Sequence, residues 1–171
     1  TLSIEKVKAS NNYALPHGID LQSNYQPLDL SAEQFVRSVL PAGGIWSNAD
    51  DMSRLLITEL NQGIAPDGKR IVSAMNLSRT WQPQVEIKKG SIAYGLGWII
   101  EDYHGMRLIH HSGNSMGFSA DLAFLPTAGL GVVMLTNAEG AGDFVQAIRC
   151  RLFEIAFGFP HQYDAIFQHD L

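Results

Sequence analysis

The sequence predicts an α+β fold, an antiparallel sheet with flanking helices, and three observations predict it. Four strand-like runs, residues 94–101, 106–112, 119–125 and 130–136, follow one another through short links that contain Gly or Pro. Short links favour antiparallel neighbours, because a parallel crossover needs a dozen residues or more. Helix signals dominate the part before these runs, and one amphipathic run, residues 143–157, follows them. Helices and strands segregated in this way are the α+β pattern.

Taken in order, residues 1–30 are polar and turn-rich, with Asn11-Asn12, Pro16-His17-Gly18, Ser23-Asn24 and Pro27, and read as irregular. Ser31-Ala32-Glu33-Gln34 resembles a capping box. The short helix it would open carries Phe35, Val36, Val39 and Leu40 on one side and ends at Pro41. Gly43 and Gly44 then allow a tight turn or a close approach. The best helix comes next. Ser47 is its expected cap, Asp50 sits in its first turn, Met52, Leu55, Leu56 and Leu60 form its apolar stripe, and Gly63 stops it. Residues 64–70 read as a loop and residues 73–81 as a short helix ended by Pro83. The run from Leu130 to Leu135 is apolar without alternation, which predicts an interior strand covered on both faces. The closing helix would turn Val145, Ile148, Leu152 and Ile155 to the core and Arg149 and Arg151 outward, with Gly158 and Pro160 ending it. The last ten residues read as a tail.

Length and composition narrow the function classes. The 171 residues, 46% of them hydrophobic, suffice for one domain with a sizeable core. The net charge of −5 is scattered, and the absence of a basic run argues against a nucleic-acid partner. The longest apolar stretch is far too short to span a membrane. The first residues do not form a signal peptide, and a chain that starts at Thr1 is expected to be a processed or truncated piece. Cys150 is the only cysteine, which excludes an internal disulfide and cysteine-based zinc sites.

Several residue patterns could carry chemistry. Gly113-Asn114-Ser115-Met116-Gly117 spells the Gly-x-Ser-x-Gly of a nucleophile elbow, which would make Ser115 the nucleophile of an α/β-hydrolase-type esterase. An elbow needs a helix after it, and here a second strand follows at once, so a hairpin loop is the preferred reading. Ser3-Ile4-Glu5-Lys6 spells Ser-x-x-Lys, but at a chain end, where a buried helix is not expected. Thr1 could be an N-terminal nucleophile only if buried at a strand end. His110 and His111 are adjacent on a strand and must point to opposite faces, and no His pair has metal-ligand spacing, so no metal is expected. The segment ending in His111-Ser112-Gly113 can form a cleft wall. A histidine and a hydroxyl project from it, Gly113 admits a substrate close to the backbone, and the N–H of Asn114 is free to donate as half of an oxyanion hole.

Here the residues carry a likeness. His111-Ser112-Gly113 resembles the His-x-Gly third motif of the serine β-lactamase-like superfamily, which includes penicillin-binding proteins, class C β-lactamases, esterases and D-aminopeptidases. The stretch from Pro41 to Met52 resembles the family's glycine pair and capped helix, and Tyr94-Gly95-Leu96-Gly97-Trp98 resembles the strand before the third motif. Gly117-Phe118, Ala123-Phe124-Leu125-Pro126 and the stretch from Gly129 to Asn137 resemble the two strands after it. The likeness covers nearly the whole chain from about Asn12 to Phe157.

The resemblance implies a β-lactamase/transpeptidase-like fold, incomplete, over residues 1–171: irregular and helical to residue 93, then antiparallel strands and a helix over residues 94–158. It implies acyl transfer to amide or ester bonds of a small-molecule or peptide substrate through an acyl-enzyme, with no cofactor. By the same likeness His111 would contact substrate or steady a tyrosine, Ser112 would hydrogen-bond the substrate, Gly113 would line the cleft and the Asn114 N–H would be the oxyanion donor. No tyrosine here is followed by x-Asn, so both Ser-x-x-Lys and Tyr-x-Asn are expected upstream, and this chain alone is expected to be inactive. A catalytically inactive binding or scaffold module is the alternative. Histidine where β-lactamases carry lysine leans towards peptidases and esterases. The likeness also leans towards a periplasmic or otherwise extracytoplasmic location. It implies a homodimer or pairing with the missing half through an edge strand, Leu130–Thr136.

Overall fold

The structure, a computed structural model, describes residues 1–162. The expected tail lies outside the described residues except for Gln162, whose N–H donates to Glu154 Oε1 at 3.0 Å. In chain order the elements are α1 (Ile4–Ser10), β1 (His17–Ile19), β2 (Tyr25–Pro27), a 3₁₀ helix (Leu30–Val39), α2 (Leu40–Gly43), α3 (Ala49–Leu60), α4 (Ala74–Thr80), β3 (Val85–Lys88), β4 (Ile92–Tyr94), β5 (Ile99–Tyr103), β6 (Met106–Asn114), β7 (Ser119–Leu125), β8 (Leu130–Thr136) and α5 (Gly142–Phe157). Strands β3 to β8 form one antiparallel sheet in sequence order, and β1 and β2 form a separate hairpin.

The sheet is packed on both faces, and alternation along its central strands explains how. Ile109 and Phe124 are fully buried with Leu56 of α3 and Leu77 and Trp81 at α4. Their neighbours Leu108, Ala123 and Leu125 turn the other way, onto Phe153 of α5. Trp81 and Trp98 both meet Phe124 edge-on, with ring centroids 5.3 and 5.1 Å apart, a favoured aromatic geometry. Buried Glu59 accepts the Trp81 indole N–H at 3.0 Å, which supplies the partner that a buried indole needs.

Several expectations need correction. Residues 1–30 are not irregular: Ser3 caps α1 by accepting the Lys6 N–H, and β1 and β2 pair as a hairpin. Asp29, rather than Ser31, caps the next segment, which is 3₁₀, and Pro41 sits in the first turn of α2 instead of ending a helix. The buried residues there are Leu30, Glu33 and Val36, whereas Phe35 and Val39 are exposed. Helix α3 is capped by Asn48, not Ser47. Its end has the predicted glycine, but the left-handed turn starts one residue earlier. Gln62 has φ 53°, Gly63 has φ 88°, and the Gly63 N–H closes onto Thr58 O at 2.8 Å. Ser73 caps α4 as the pattern suggests.

The strand run at residues 94–101 is two strands. A turn through Gly95 and Gly97 separates β4 from β5, and a Cβ on Gly95 would lie 2.4 Å from Thr80 O. Strand β3, exposed along its length, gave no sequence signal. Strand β8 is covered on both faces as expected, with Val132 towards the α5 cluster and Val133 towards the α3 cluster. It is nevertheless an edge strand, because among the described residues it pairs with β7 alone. Helix α5 is rotated from the expected orientation. Val145, Arg149, Cys150, Phe153 and Glu154 are buried, while Leu152 and Ile155 are exposed. The reason is Asp121 on β7, itself buried, whose Oδ1 takes the Arg149 guanidinium at 2.7 Å. Gly158 ends the helix in the left-handed conformation, as the sequence implies.

Candidate functional site

Strand β6 outruns its neighbour β5. Their pairing starts at Tyr103↔Met106 and ends at Ile99↔His110, but β6 continues to Asn114, paired there only with β7. Residues 111–114 therefore have a ladder partner on one side. The direction of their backbone groups follows from antiparallel alternation. The Ser115 N–H closes the β6–β7 turn onto Phe118 O at 3.0 Å, so Gly113, two residues back, also faces β7. Ser112 and Asn114 then direct their N–H and C=O groups to the side that β5 does not reach. Ser112, Gly113 and Asn114 are exposed, and a Cβ on Gly113 would meet nothing within 4 Å.

The turn beyond this edge is clamped from three directions. Gly117 is pressed against the chain before β1, where an added Cβ would fall 2.3 Å from Pro16 Cβ, and the His17 N–H donates to Gly117 O at 3.2 Å. Phe118 meets Trp46, from the glycine-pair segment, edge-on at 5.6 Å. Glu33 is buried against the Ser115 hydroxyl and the Met116 N–H; burial pushes its carboxyl up, and those two bonds pull against the shift. The arrangement is a hairpin turn with a strand on each side, so Ser115 lacks the strand-to-helix setting of a nucleophile elbow.

The four residues expected at the wall are thus contiguous, but their side chains have different partners. His111 Nε2 lies 2.9 Å from the Tyr94 hydroxyl and Nδ1 lies 2.6 Å from Ser112 O. Asn114 Oδ1 is 2.7 Å from the Ser119 hydroxyl, which also lies 2.9 Å from Ala138 O and accepts the Ala141 N–H at 3.2 Å. Beside Asn114 and Ser115 opens a cleft of about 360 Å³, bounded on its far side by Glu139, Gly140, Gly142 and Asp143. A larger depression of about 460 Å³ over β3 to β5 touches none of the wall residues.

His110 points to the opposite face, as strand geometry requires. Its Nε2 is 3.3 Å from Glu101 Oε1, and its Nδ1 is 3.2 Å from Arg149 Nη1, which also holds Asp121. The hydrogen bond from His110 holds the Glu101 carboxyl below the usual range against the effect of burial, with the Arg149 charge adding to it. Burial pushes Asp121 up, and Arg149 opposes the shift. Sequence reasoning missed Tyr94 as a partner of His111 and Arg149 as a buried cation. The first could have been suspected from the Tyr-Gly-x-Gly-Trp run. The second had no local signal. The other candidates are accounted for locally: Ser3 Oγ caps α1 and bonds Glu5 Oε2 at 2.8 Å, and the exposed ammonium of Thr1 donates to Trp46 O at 2.8 Å. Among the described residues, no group of three or more His, Cys, Asp or Glu side chains is placed to hold a metal ion, and no helix is long and apolar enough to cross a membrane.

Comparison with known proteins gives consistent matches. Penicillin-binding protein 4 of Amycolatopsis lactamdurans is 28% identical over 135 residues, covering 77% of this chain and 35% of that protein. The unguisins hydrolase ungD′ of Aspergillus campestris is 27% identical over 150 residues, covering 84% of this chain and 27% of that protein. The chain thus spans about a third or less of the curated relatives it matches. Among solved structures, the octameric penicillin-binding protein homologue from Pyrococcus abyssi superposes with a TM-score of 0.73 at 19% identity, covering 92% of this chain and 34% of that one. The penicillin-binding protein from Bacillus halodurans gives 0.58 at 22% identity, covering 80% and 39%. The family model described as Beta-lactamase aligns with residues 6–155, from α1 nearly to the end of α5, and the chain belongs to that family.

Proposed function

We propose that this chain is the C-terminal part of a serine hydrolase that acts on amide or ester bonds through an acyl-enzyme, and that it supplies the sheet-side wall of the active site. One observation carries this reading: β6 runs past β5 to leave the backbone of residues 111–114 unpaired on one side, exposed, with open space over Gly113. An unpaired N–H at a fixed strand end is the donor that a developing oxyanion requires. The Asn114 N–H takes this role, and Ser112 and Gly113 line the substrate's path. The attacking serine and its proton-transfer partners lie on a part of the protein upstream of Thr1. The shares of the relatives' lengths covered by the chain leave room for that part, and Ser3, Thr1 and Ser115 are each engaged in local structure instead. Histidine at position 111 favours a peptidase or esterase over a β-lactamase.

The test is covalent labelling. This chain, incubated with a fluorescent penicillin or a fluorophosphonate, is expected to remain unlabelled, whereas a protein carrying the upstream part labels at one serine. Labelling of any serine in the chain alone would overturn the division of labour. An upstream part without Ser-x-x-Lys would transfer the reading to a binding module that uses the same wall without turnover.

A further inference from the structure

We propose that Tyr94 is a positioning residue of this wall: its hydroxyl fixes the tautomer of His111, and through it the backbone that presents the Asn114 N–H. The inference rests on the hydrolase reading only for its use, since the geometry stands without it. A carbonyl oxygen can only accept, so the 2.6 Å contact with Ser112 O puts the proton of neutral His111 on Nδ1. Nε2 is then an acceptor, and the Tyr94 hydroxyl at 2.9 Å is the donor that fills it. Both ring nitrogens are committed within the protein. His111 therefore meets a substrate through its ring and not through a free nitrogen.

What this chain of bonds does follows from the uneven strands. Strand β5 stops at Ile99, opposite His110, so the ladder bond that would hold the Ser112 carbonyl on that side is missing. The His111 Nδ1–H takes its place. Tyr94, on the far side of the gap at the end of β4, braces the imidazole with its hydroxyl and with an edge-on ring contact at 5.8 Å. The effect is to fix the Ser112–Gly113 peptide plane while leaving the next outward-facing donor, the Asn114 N–H, unpaired. A β5 strand four residues longer, continued in the same register to Gly95, would secure the same backbone but would occupy that donor.

The experiment is nitrogen-detected NMR of the histidine rings in this chain, with backbone amide exchange, for the wild type and Tyr94→Phe. Phenylalanine keeps the ring contact and removes only the hydroxyl. The wild type is expected to show His111 as a single Nδ1–H tautomer with an unprotonated Nε2. In Tyr94→Phe the ratio of Nδ1–H to Nε2–H should fall by roughly fivefold, the equilibrium change that one neutral hydrogen bond commands. The Gly113 amide, on the far side of the braced peptide plane, should exchange faster by a similar factor. A wild-type His111 in the Nε2–H form would overturn the proposal, and so would an unchanged tautomer ratio in a folded Tyr94→Phe. Should that variant fail to fold, the wild-type tautomer alone decides. Neither the tautomer nor the amide-exchange readout depends on hydrolysis, so failure there is separable from failure of the proposed activity. In a protein carrying the upstream part, Tyr94→Phe should lower kcat by more than it raises KM.

Discussion

At the scale of single residues, two glycines of the same hairpin have opposite reasons to be glycine. Gly117 has no room for a side chain, because Pro16 and the His17 backbone occupy the space. Gly113 has open space where a side chain would be. Gly117→Ala should destabilise the fold by about 1–3 kcal/mol, the usual cost of forcing extra atoms into a packed site. Gly113→Ala should leave stability within about 0.5 kcal/mol of wild type. If Gly113 is there for the ligand, the alanine should weaken acyl transfer in a protein carrying the upstream part. Urea unfolding of the two variants checks the first contrast, and equal losses would remove the argument that Gly113 is kept for access. Glu101 offers a pH test at the same scale. Its carboxyl is lowered by the hydrogen bond from His110, so the stability it contributes is present above its unfolded pKa and is lost as pH falls through the folded one. Glu33, Glu59 and Asp121 are raised by burial and work in the opposite sense, favouring the folded state as pH falls. The wild-type acid limb is therefore a sum of opposing contributions, and a difference isolates one of them. Glu101→Gln should lower the thermal midpoint at pH 7, and the gap should close below the ordinary glutamate range of about 4.3. A gap that is constant with pH would mean that Glu101 acts by packing.

At the scale of elements, helix α5 shows both how much the sequence carries and where it stops. Its existence, its length and its glycine stop were legible, because they depend on local propensity and capping. Its orientation was not. An apolar stripe through Val145, Ile148, Leu152 and Ile155 is the natural core face by periodicity, yet Leu152 and Ile155 are exposed and Arg149 is buried. The deciding residue, Asp121, is 28 positions away on β7, where a periodicity argument within the helix cannot see it. The same division holds in the sheet and at the wall. Strands β7 and β8 were legible to the residue, and His111, Ser112, Gly113 and Asn114 fell in one motif. The gap beside that motif was not legible, because it arises from where β5 ends. Arg149→Ala would leave Asp121 buried without its partner and should cost about 3–5 kcal/mol. The pair Asp121→Leu with Arg149→Met should recover most of that loss, since an apolar pair avoids burying charge altogether. A double variant no more stable than Arg149→Ala would show that His110 and Glu101 also depend on the pair to stay in place.

At the scale of the whole molecule, the sheet is finished on one margin and unfinished on the other. Strand β3, at one end, is short, exposed and flanked by charge, with Glu86 and Lys88 within it. Such an edge discourages pairing. Strand β8, at the other end, runs seven residues, Leu130–Thr136, without a charge, a proline or a bulge, and both of its faces are packed. An apolar, regular edge of this kind recruits another strand. In the proposed parent that strand comes from the upstream part; in this chain alone a second copy is the available partner. The chain is therefore expected to self-associate, with the dimer fraction rising with concentration in light scattering. Leu135→Lys places a charge at an exposed position of this edge and should return the chain to a monomer with its fold retained, as near-unchanged far-ultraviolet circular dichroism would show. Amide exchange then locates the contact, since association through β8 should protect the outward-facing N–H groups of residues 130–136 in the wild type and not in Leu135→Lys. A wild-type chain that stays monomeric at high concentration would mean that the open edge of β8 is tolerated in solution, and would remove the structural argument that this strand is where the rest of the hydrolase attaches.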